Sequence, residues 1–207
     1  MATPLLHVGD VIAADLDRQG WSVQRDFLAP PAAAALHDRT LAWWRDGEFR
    51  PAYVGRGPSP RLDESVRTDH VRWLDFATGG RFRDVYDTWY EPLRQALNRR
   101  LYLGLFDFEA HVTMYPPGSF YVRHLDRFRD APHRAVTAIL YLNPAWTPDD
   151  GGALRLHLPG PDGGEIPHDV VPQAGTLVTF LSAEIPHEVL PTRRERLSFT
   201  GWFCTRR

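Results

Sequence analysis

The stretch Tyr115-Pro116-Pro117-Gly118-Ser119-Phe120-Tyr121-Val122-Arg123-His124-Leu125-Asp126 decides how this chain is read. Its Pro-Pro-Gly-Ser cluster marks a turn, and the residues behind it run as a strand. Side chains alternate faces along a strand, so His124 and Asp126 are expected to point the same way and to share one metal ion. A third donor comes from His187, in Ile185-Pro186-His187-Glu188-Val189. Two imidazoles and one carboxylate on one side of an ion leave its other positions open, the arrangement used for oxygen chemistry at non-haem Fe(II). In a chain with nine histidines a lone His-x-Asp is commonly a surface accident. The metal reading gains its weight from the Pro-Gly turn before the pair, the distant histidine and the arginine on the strand that follows.

That arginine is Arg196. Residues 196, 198, 200 and 202 share one strand face, which lines up Arg196, Ser198, Thr200 and Trp202 along an inward wall. A guanidinium held there is costly unless paired, and no acidic residue lies near it in sequence on that face. A structural ion pair with a distant carboxylate would satisfy it. So would a carboxylate brought by a ligand and gripped through two parallel hydrogen bonds. Strand periodicity also places His111, Thr113 and Tyr115 on one face. Tyr115 and Tyr141 can offer hydroxyls to a ligand, although tyrosines in strands commonly serve packing. His111 is read as a satisfied core histidine. His133, His157 and His168 are read as incidental residues in or beside loops.

Composition narrows the function classes. With 207 residues, 43% hydrophobic and 24% charged, the chain reads as an ordinary globular domain with a sizeable core. No apolar run approaches the roughly 18 residues of a membrane span. The first residues carry no secretory pattern, and a single cysteine argues against internal disulfides and cysteine-based zinc sites, so a cytoplasmic setting is expected. The net charge of -2 provides no field for nucleic acid. All 24 basic residues are arginine, which excludes lysine-dependent chemistry such as Schiff bases and P-loops.

The expected fold is α+β and mainly β, a double-stranded β-helix, or jelly roll, backed by N-terminal helices. Helical support is predicted over about 1–104 and the jelly-roll core over about 105–207, within one domain, 1–207. Asp10 is read as the N-cap of a helix ending at Gln19, and Pro30-Pro31 as opening another that runs to about Asp46. Residues 55–75, rich in Gly, Pro and charge, are predicted to form a mobile loop that leads into a strand over Val66–Leu74. Val85, Trp89, Leu93, Leu97 and Leu101 recur at helical spacing, with Pro92 marking a kink or a second helix start. From Phe106 onward about eight short strands alternate with turn clusters.

At this point the residues carry a resemblance. Met114-Tyr115-Pro116, Tyr121 through Asp126, Arg134 through Asn143, Gly151 through Leu156, Pro186-His187-Glu188-Val189 and Arg196 through Trp202 resemble the Fe(II)- and 2-oxoglutarate-dependent dioxygenases. They are most similar to the oxygen-sensing prolyl hydroxylases and their bacterial relatives. Val66 through Trp73 resembles the end of those enzymes' mobile substrate loop, so the likeness runs from about Val66 to Phe203. It implies His124, Asp126 and His187 as Fe(II) ligands, and Arg196 with Tyr141 on the distal carboxylate of 2-oxoglutarate. It implies Tyr115, Leu154, Thr200 and Trp202 as the cosubstrate pocket, and Arg67, Asp69 and Arg134 as parts of a peptide groove. O2 is then the second cosubstrate and ascorbate an optional reductant. The implied reaction is hydroxylation of prolyl C4, with release of succinate and CO2. The implied partner is a proline-containing loop of a protein, with elongation factor Tu, on which bacterial relatives act, as the leading candidate and with no nucleic acid or membrane involved. Two positions depart from the animal enzymes: Leu140 replaces a second tyrosine, and His111 replaces an apolar residue.

Three other readings remain open: a hydroxylase of a free amino acid or small metabolite, a nucleic-acid demethylase of the AlkB type, and a non-catalytic jelly-roll binding module. The AlkB type resembles a distal Arg followed six residues later by another, where this chain has Trp202.

Overall fold

The computed structural model describes residues 5–55, 61–127 and 131–206. Residues 56–60 of the expected substrate loop therefore lie outside the described residues. Helix α1 spans Leu5–Gln19 and strand β1 Trp21–Gln24, followed by α2 over Pro30–Arg45, β2 over Arg50–Pro51 and β3 over His70–Trp73. Next come α3 (Arg81–Val85), a π-helical turn (Tyr86–Tyr90) and α4 (Glu91–Leu101). The remaining strands are β4 (Leu105–Tyr115), β5 (Tyr121–His124), β6 (Arg134–Tyr141), β7 (Leu154–Pro159), β8 (Glu165–Val170), β9 (Leu177–Leu181), β10 (His187–Val189) and β11 (Arg196–Thr205).

Two antiparallel sheets face each other, as expected of a jelly roll. The larger runs β1-β9-β6-β11-β4-β3-β2 and the smaller β5-β10-β7-β8. Alternation along the large sheet sorts its side chains. Leu197, Phe199 and Phe203 on β11, with Val112, Met114, Val136, Ala138 and Leu140, pack outward against Ile12, Leu16, Leu36, Leu93 and Leu97 of the helices. Tyr115, Ile139, Tyr141, Val178 and Phe180 point the other way, toward Leu154, Leu156 and Val189 of the small sheet. Each fully buried apolar side chain of this kind stabilises the fold by roughly 1.5–3 kcal/mol. The helices thus fix the back of the sheet and leave its front for a site.

The structure departs from several local expectations. Asp10 lies inside α1 rather than capping it, and its carboxylate sits 3.7 Å from Arg99. At Pro92 the structure takes the second of the two expected options: a new helix, α4, starts after the π turn with Pro92 in its first turn, where its missing N–H is not needed. His168 belongs to strand β8, which starts earlier in its hairpin than the turn residues suggested, and His157 lies within β7. Among the described residues, no helix is long and apolar enough to cross a membrane.

Gly201, in the middle of β11, lies beneath the Phe108 ring, so tightly that a Cβ there would meet Phe108 Cε2 at 2.7 Å and Ala110 Cβ at 3.1 Å. Gly201→Ala is expected to destabilise by about 1–3 kcal/mol, read as a fall of roughly 2–12 °C in Tm. Gly164→Ala, which meets open space, serves as the neutral control.

Candidate metal and cosubstrate site

Strands β5 and β10 pair antiparallel with His124 directly opposite His187. That register, rather than closeness in sequence, brings the two imidazoles together, with ring centroids 4.2 Å apart. Strand β5 ends at His124, so Asp126 lies just past the strand. It nevertheless turns its carboxylate between the rings: Oδ1 is 3.7 Å from His124 Nε2, and Oδ2 is 3.5 Å from His187 Nε2. Thr137 on β6 donates to Asp126 Oδ2 at 2.8 Å.

Each imidazole is oriented through its other nitrogen. Nδ1 of His124 lies 2.8 Å from the Val122 carbonyl, and Nδ1 of His187 lies 3.1 Å from that of Ile185. A carbonyl can only accept, so Nδ1 carries the proton and Nε2 is left as a donor to a metal. Burial, with His187 as the next cause, lowers His124 to about 3, so the ring is neutral at physiological pH. Burial alone would raise the Asp126 carboxyl, yet His187, His124 and Arg134, with the Thr137 hydroxyl, bring it down to about 2. Two imidazoles and one carboxylate, their donor atoms within 4.8 Å of one another, suit a hard-to-borderline divalent ion. Among the described residues one other donor trio, Glu109, His133 and Cys204, is as compact, but there Glu109 already accepts from Arg134 Nε at 2.6 Å.

A cleft of about 760 Å³ opens beside the triad, and its lining includes Tyr115, Leu154, Arg196, Ser198, Thr200 and Trp202. Arg196 stands opposite Tyr115 across the β4–β11 ladder, and Ser198 stands opposite Tyr141 on β6. The guanidinium is only 1% exposed. Its Nε donates to the Gly152 carbonyl at 2.7 Å, and its Cζ lies 4.9 and 5.1 Å from the ring centroids of Tyr115 and Tyr141. A side chain at position 152 would be strained, since φ is +65° and a Cβ would lie 3.0 Å from Arg196 Cδ and from Thr192. Among the described residues Arg196 forms no ion pair, and the proton of the buried Tyr141 hydroxyl has no acceptor. Burial raises that hydroxyl to about 12, with Arg196 opposing, so it stays a donor. A buried cation and a buried donor side by side fit the carboxylate of an oxoacid.

Toward the mouth, Arg67 grips Asp69 through two bonds of 2.7 and 2.6 Å. Arg67 reaches the cleft; Asp69 is buried behind it rather than lining it. Arg134 lies with its Cζ 3.4 Å from the Trp202 ring centroid. His111 also lines the cleft, its Nδ1 2.9 Å from Thr113 Oγ1 and its ring between Trp73 and Trp202. Sequence reading did not single out Tyr121, whose ring lies flat on that of His124 at 3.6 Å, or Thr137. Strand alternation gives no signal for the Tyr121 contact, whereas it does set Thr137 on the same face of β6 as Ile139 and Tyr141.

A sequence profile of the 2OG-Fe(II) oxygenase superfamily matches residues 110–204. A Pseudomonas putida prolyl-4-hydroxylase is 45% identical, with 98% of this chain and 100% of that one covered at a TM-score of 0.85. A Trichoplax adhaerens prolyl hydroxylase, solved with a hypoxia inducible factor oxygen degradation domain peptide fragment, is 25% identical, with 97% and 90% covered at 0.85. A viral collagen prolyl hydroxylase from Paramecium Bursaria Chlorella virus-1, at 18% identity and a TM-score of 0.60, shares the fold. The chain belongs to the 2OG-Fe(II) oxygenase superfamily and is a dioxygenase of the prolyl hydroxylase type that uses Fe(II), 2-oxoglutarate and O2.

Proposed function

We propose that this oxygenase hydroxylates ring C4 of a prolyl residue displayed on a loop of a partner protein. The observation that carries the reading is Arg196, a buried guanidinium with no carboxylate partner among the described residues, facing a cleft shared with two imidazoles and a carboxylate. The whole chain, 1–207, is read as one catalytic domain.

In this reading His124, Asp126 and His187 hold the iron. Arg196 and the Tyr141 hydroxyl receive the distal carboxylate of 2-oxoglutarate, while Tyr115, Leu154, Thr200 and Trp202 enclose its chain and exclude water. When bound, the iron and cosubstrate supply the oxidation: one oxygen atom of O2 enters succinate as CO2 leaves, and the other becomes the hydroxyl on C4. The protein's part is to place the ring and keep the chamber dry. Arg67 and Arg134 border the groove that receives the peptide, and Asp69 serves it by holding Arg67. Support for a protein substrate comes from the likeness to the peptide-bound Trichoplax enzyme and the 45% identity to the Pseudomonas one. Elongation factor Tu is the first partner to test.

Mass spectrometry of candidate partners incubated with enzyme, Fe(II) and 2-oxoglutarate is expected to show one added oxygen on a proline. Oxygen added to free proline but to no peptide would overturn the protein-substrate reading. Arg196→Met keeps most of the side-chain volume but loses a charge-assisted pair worth on the order of 2–4 kcal/mol. It is expected to raise the 2-oxoglutarate requirement about 30- to 700-fold. Normal turnover at low cosubstrate would remove Arg196 from its assigned position.

A further inference from the structure

The two imidazoles of the triad are held by different parts of the molecule. His187 rests on Phe180, deep inside the jelly roll, with ring centroids 4.6 Å apart. His124 rests instead on Tyr121, whose ring is nearly parallel to it, 14° between planes and 3.6 Å between centroids. The opposite face of Tyr121 carries the Arg67 guanidinium, its Cζ 4.1 Å from the ring centroid. Arg67 cannot swing away without abandoning its two bonds to the buried Asp69 carboxylate. Asp69, Arg67, Tyr121 and His124 therefore form one continuous column from the mouth of the cleft to the metal side of an imidazole.

The backbone at the base of this column belongs to the segment that leaves the expected substrate loop. Residues 66–68 bond to the start of β5: Val122 N–H donates to the Val66 carbonyl at 2.9 Å, and Thr68 N–H donates to the Phe120 carbonyl at 3.2 Å. Residues 70–73 then pair with β4 of the other sheet. One short segment thus bridges both sheets, and the pairing that keeps it in place also keeps Arg67 over Tyr121. Displacing the segment removes the cation from Tyr121 and frees that ring to slide off His124.

We propose that Tyr121 is a positioning residue that couples metal binding at His124 to the order of segment 66–69, so that each stabilises the other. The coupling is reciprocal by thermodynamic necessity: if the docked segment holds His124 ready for the ion, the bound ion holds the segment docked. The aromatic face, not the phenol hydroxyl, carries it. The inference rests on the reading of His124, Asp126 and His187 as the metal ligands.

The test uses Co(II) as the probe on the full-length, metal-free protein, with its visible absorption giving Kd and hydrogen exchange reporting the amides of Val66, Arg67 and Thr68. In the parent protein Co(II) is expected to slow exchange at these amides. Tyr121→Leu is expected to weaken Co(II) binding about 10- to 100-fold, the usual effect of losing an outer support of a ligand, and to abolish that slowing. Tyr121→Phe is expected to restore both to within about twofold, since the stack survives. Parent-like Kd and protection in Tyr121→Leu would overturn the proposal, and so would a Tyr121→Phe protein as impaired as Tyr121→Leu. Should Tyr121→Leu fail to fold, the double variant Arg67→Met/Asp69→Leu, which removes both charges together, carries the test. A raised Kd with lost protection supports the coupling, and an unchanged Kd defeats it. His124→Ala separates the two levels of inference. If it binds Co(II) as the parent does, the ligand assignment itself fails; if it loses binding while Tyr121→Leu keeps it, only the coupling fails.

Discussion

The site exists because β5 and β10 pair with His124 set opposite His187, in a ladder whose register shifts between His187 and Val189. Their ladder sets His124 opposite His187, and a slip of one residue would turn one imidazole to the far face of the small sheet. What prevents the slip lies mostly outside these two short strands. On its other edge β10 pairs with β7, which sets His187 against Leu156, and β7 is held by the six-residue ladder to β8. The three-residue strand β10 is therefore fixed between neighbours on both edges, and the geometry of the triad inherits the rigidity of the whole small sheet.

The large sheet imposes a second constraint on the same chamber. Strand β11 is paired on both sides along most of its length, and alternation sends Leu197, Phe199 and Phe203 to the helical side and Arg196, Ser198, Thr200 and Trp202 to the cleft. Burying a lone guanidinium this way is unfavourable unless a counter-charge arrives. The apolar packing behind the strand holds Arg196 there regardless, and cation–π contacts with Tyr115 and Tyr141 offset part of the desolvation. A chamber already desolvated and charged needs little rearrangement to accept a dicarboxylate, which is the physical meaning of preorganisation.

Much of this was legible from period alone. Two residues apart on a strand is a simple rule, and it aligned Arg196 with Thr200 and Trp202, and Tyr115 with His111. Asp126 tested the limit of that rule: it lies past the end of β5, and its place between the rings depends on the turn and on Thr137. Contacts between non-adjacent segments left no trace in the pattern. Nothing in the order of residues announces that Arg67 covers Tyr121, because the contact depends on a single bridge between a loop exit and a strand start. Asp10 misled for a local reason, since an aspartate can cap a helix or sit exposed within one, and only the preceding turn of α1 tells these apart. Pro92 left two options that its surroundings decided, since the π turn that accommodates it has no compositional signature.

The distribution of arginines around the cleft explains how one pocket can discriminate between carboxylates. Near the mouth three guanidiniums have an acidic companion, Arg67 with Asp69, Arg72 with Glu48 and Arg134 with Glu109, while Arg50 donates to the backbone carbonyls of Gly47 and Phe49. These pairs are locally neutral, so a passing anion gains little from them, and their planar faces are turned instead to rings, Arg67 on Tyr121, Arg72 on Trp43 and Arg134 on Trp202. Arg196 has no such companion among the described residues. Arg196 is the buried one, so a ligand that reaches from it to the triad must offer a carboxylate at one end and further oxygens at the other. A monoacid can satisfy one end only, whereas the aromatic faces at the mouth suit a ring presented by a peptide segment.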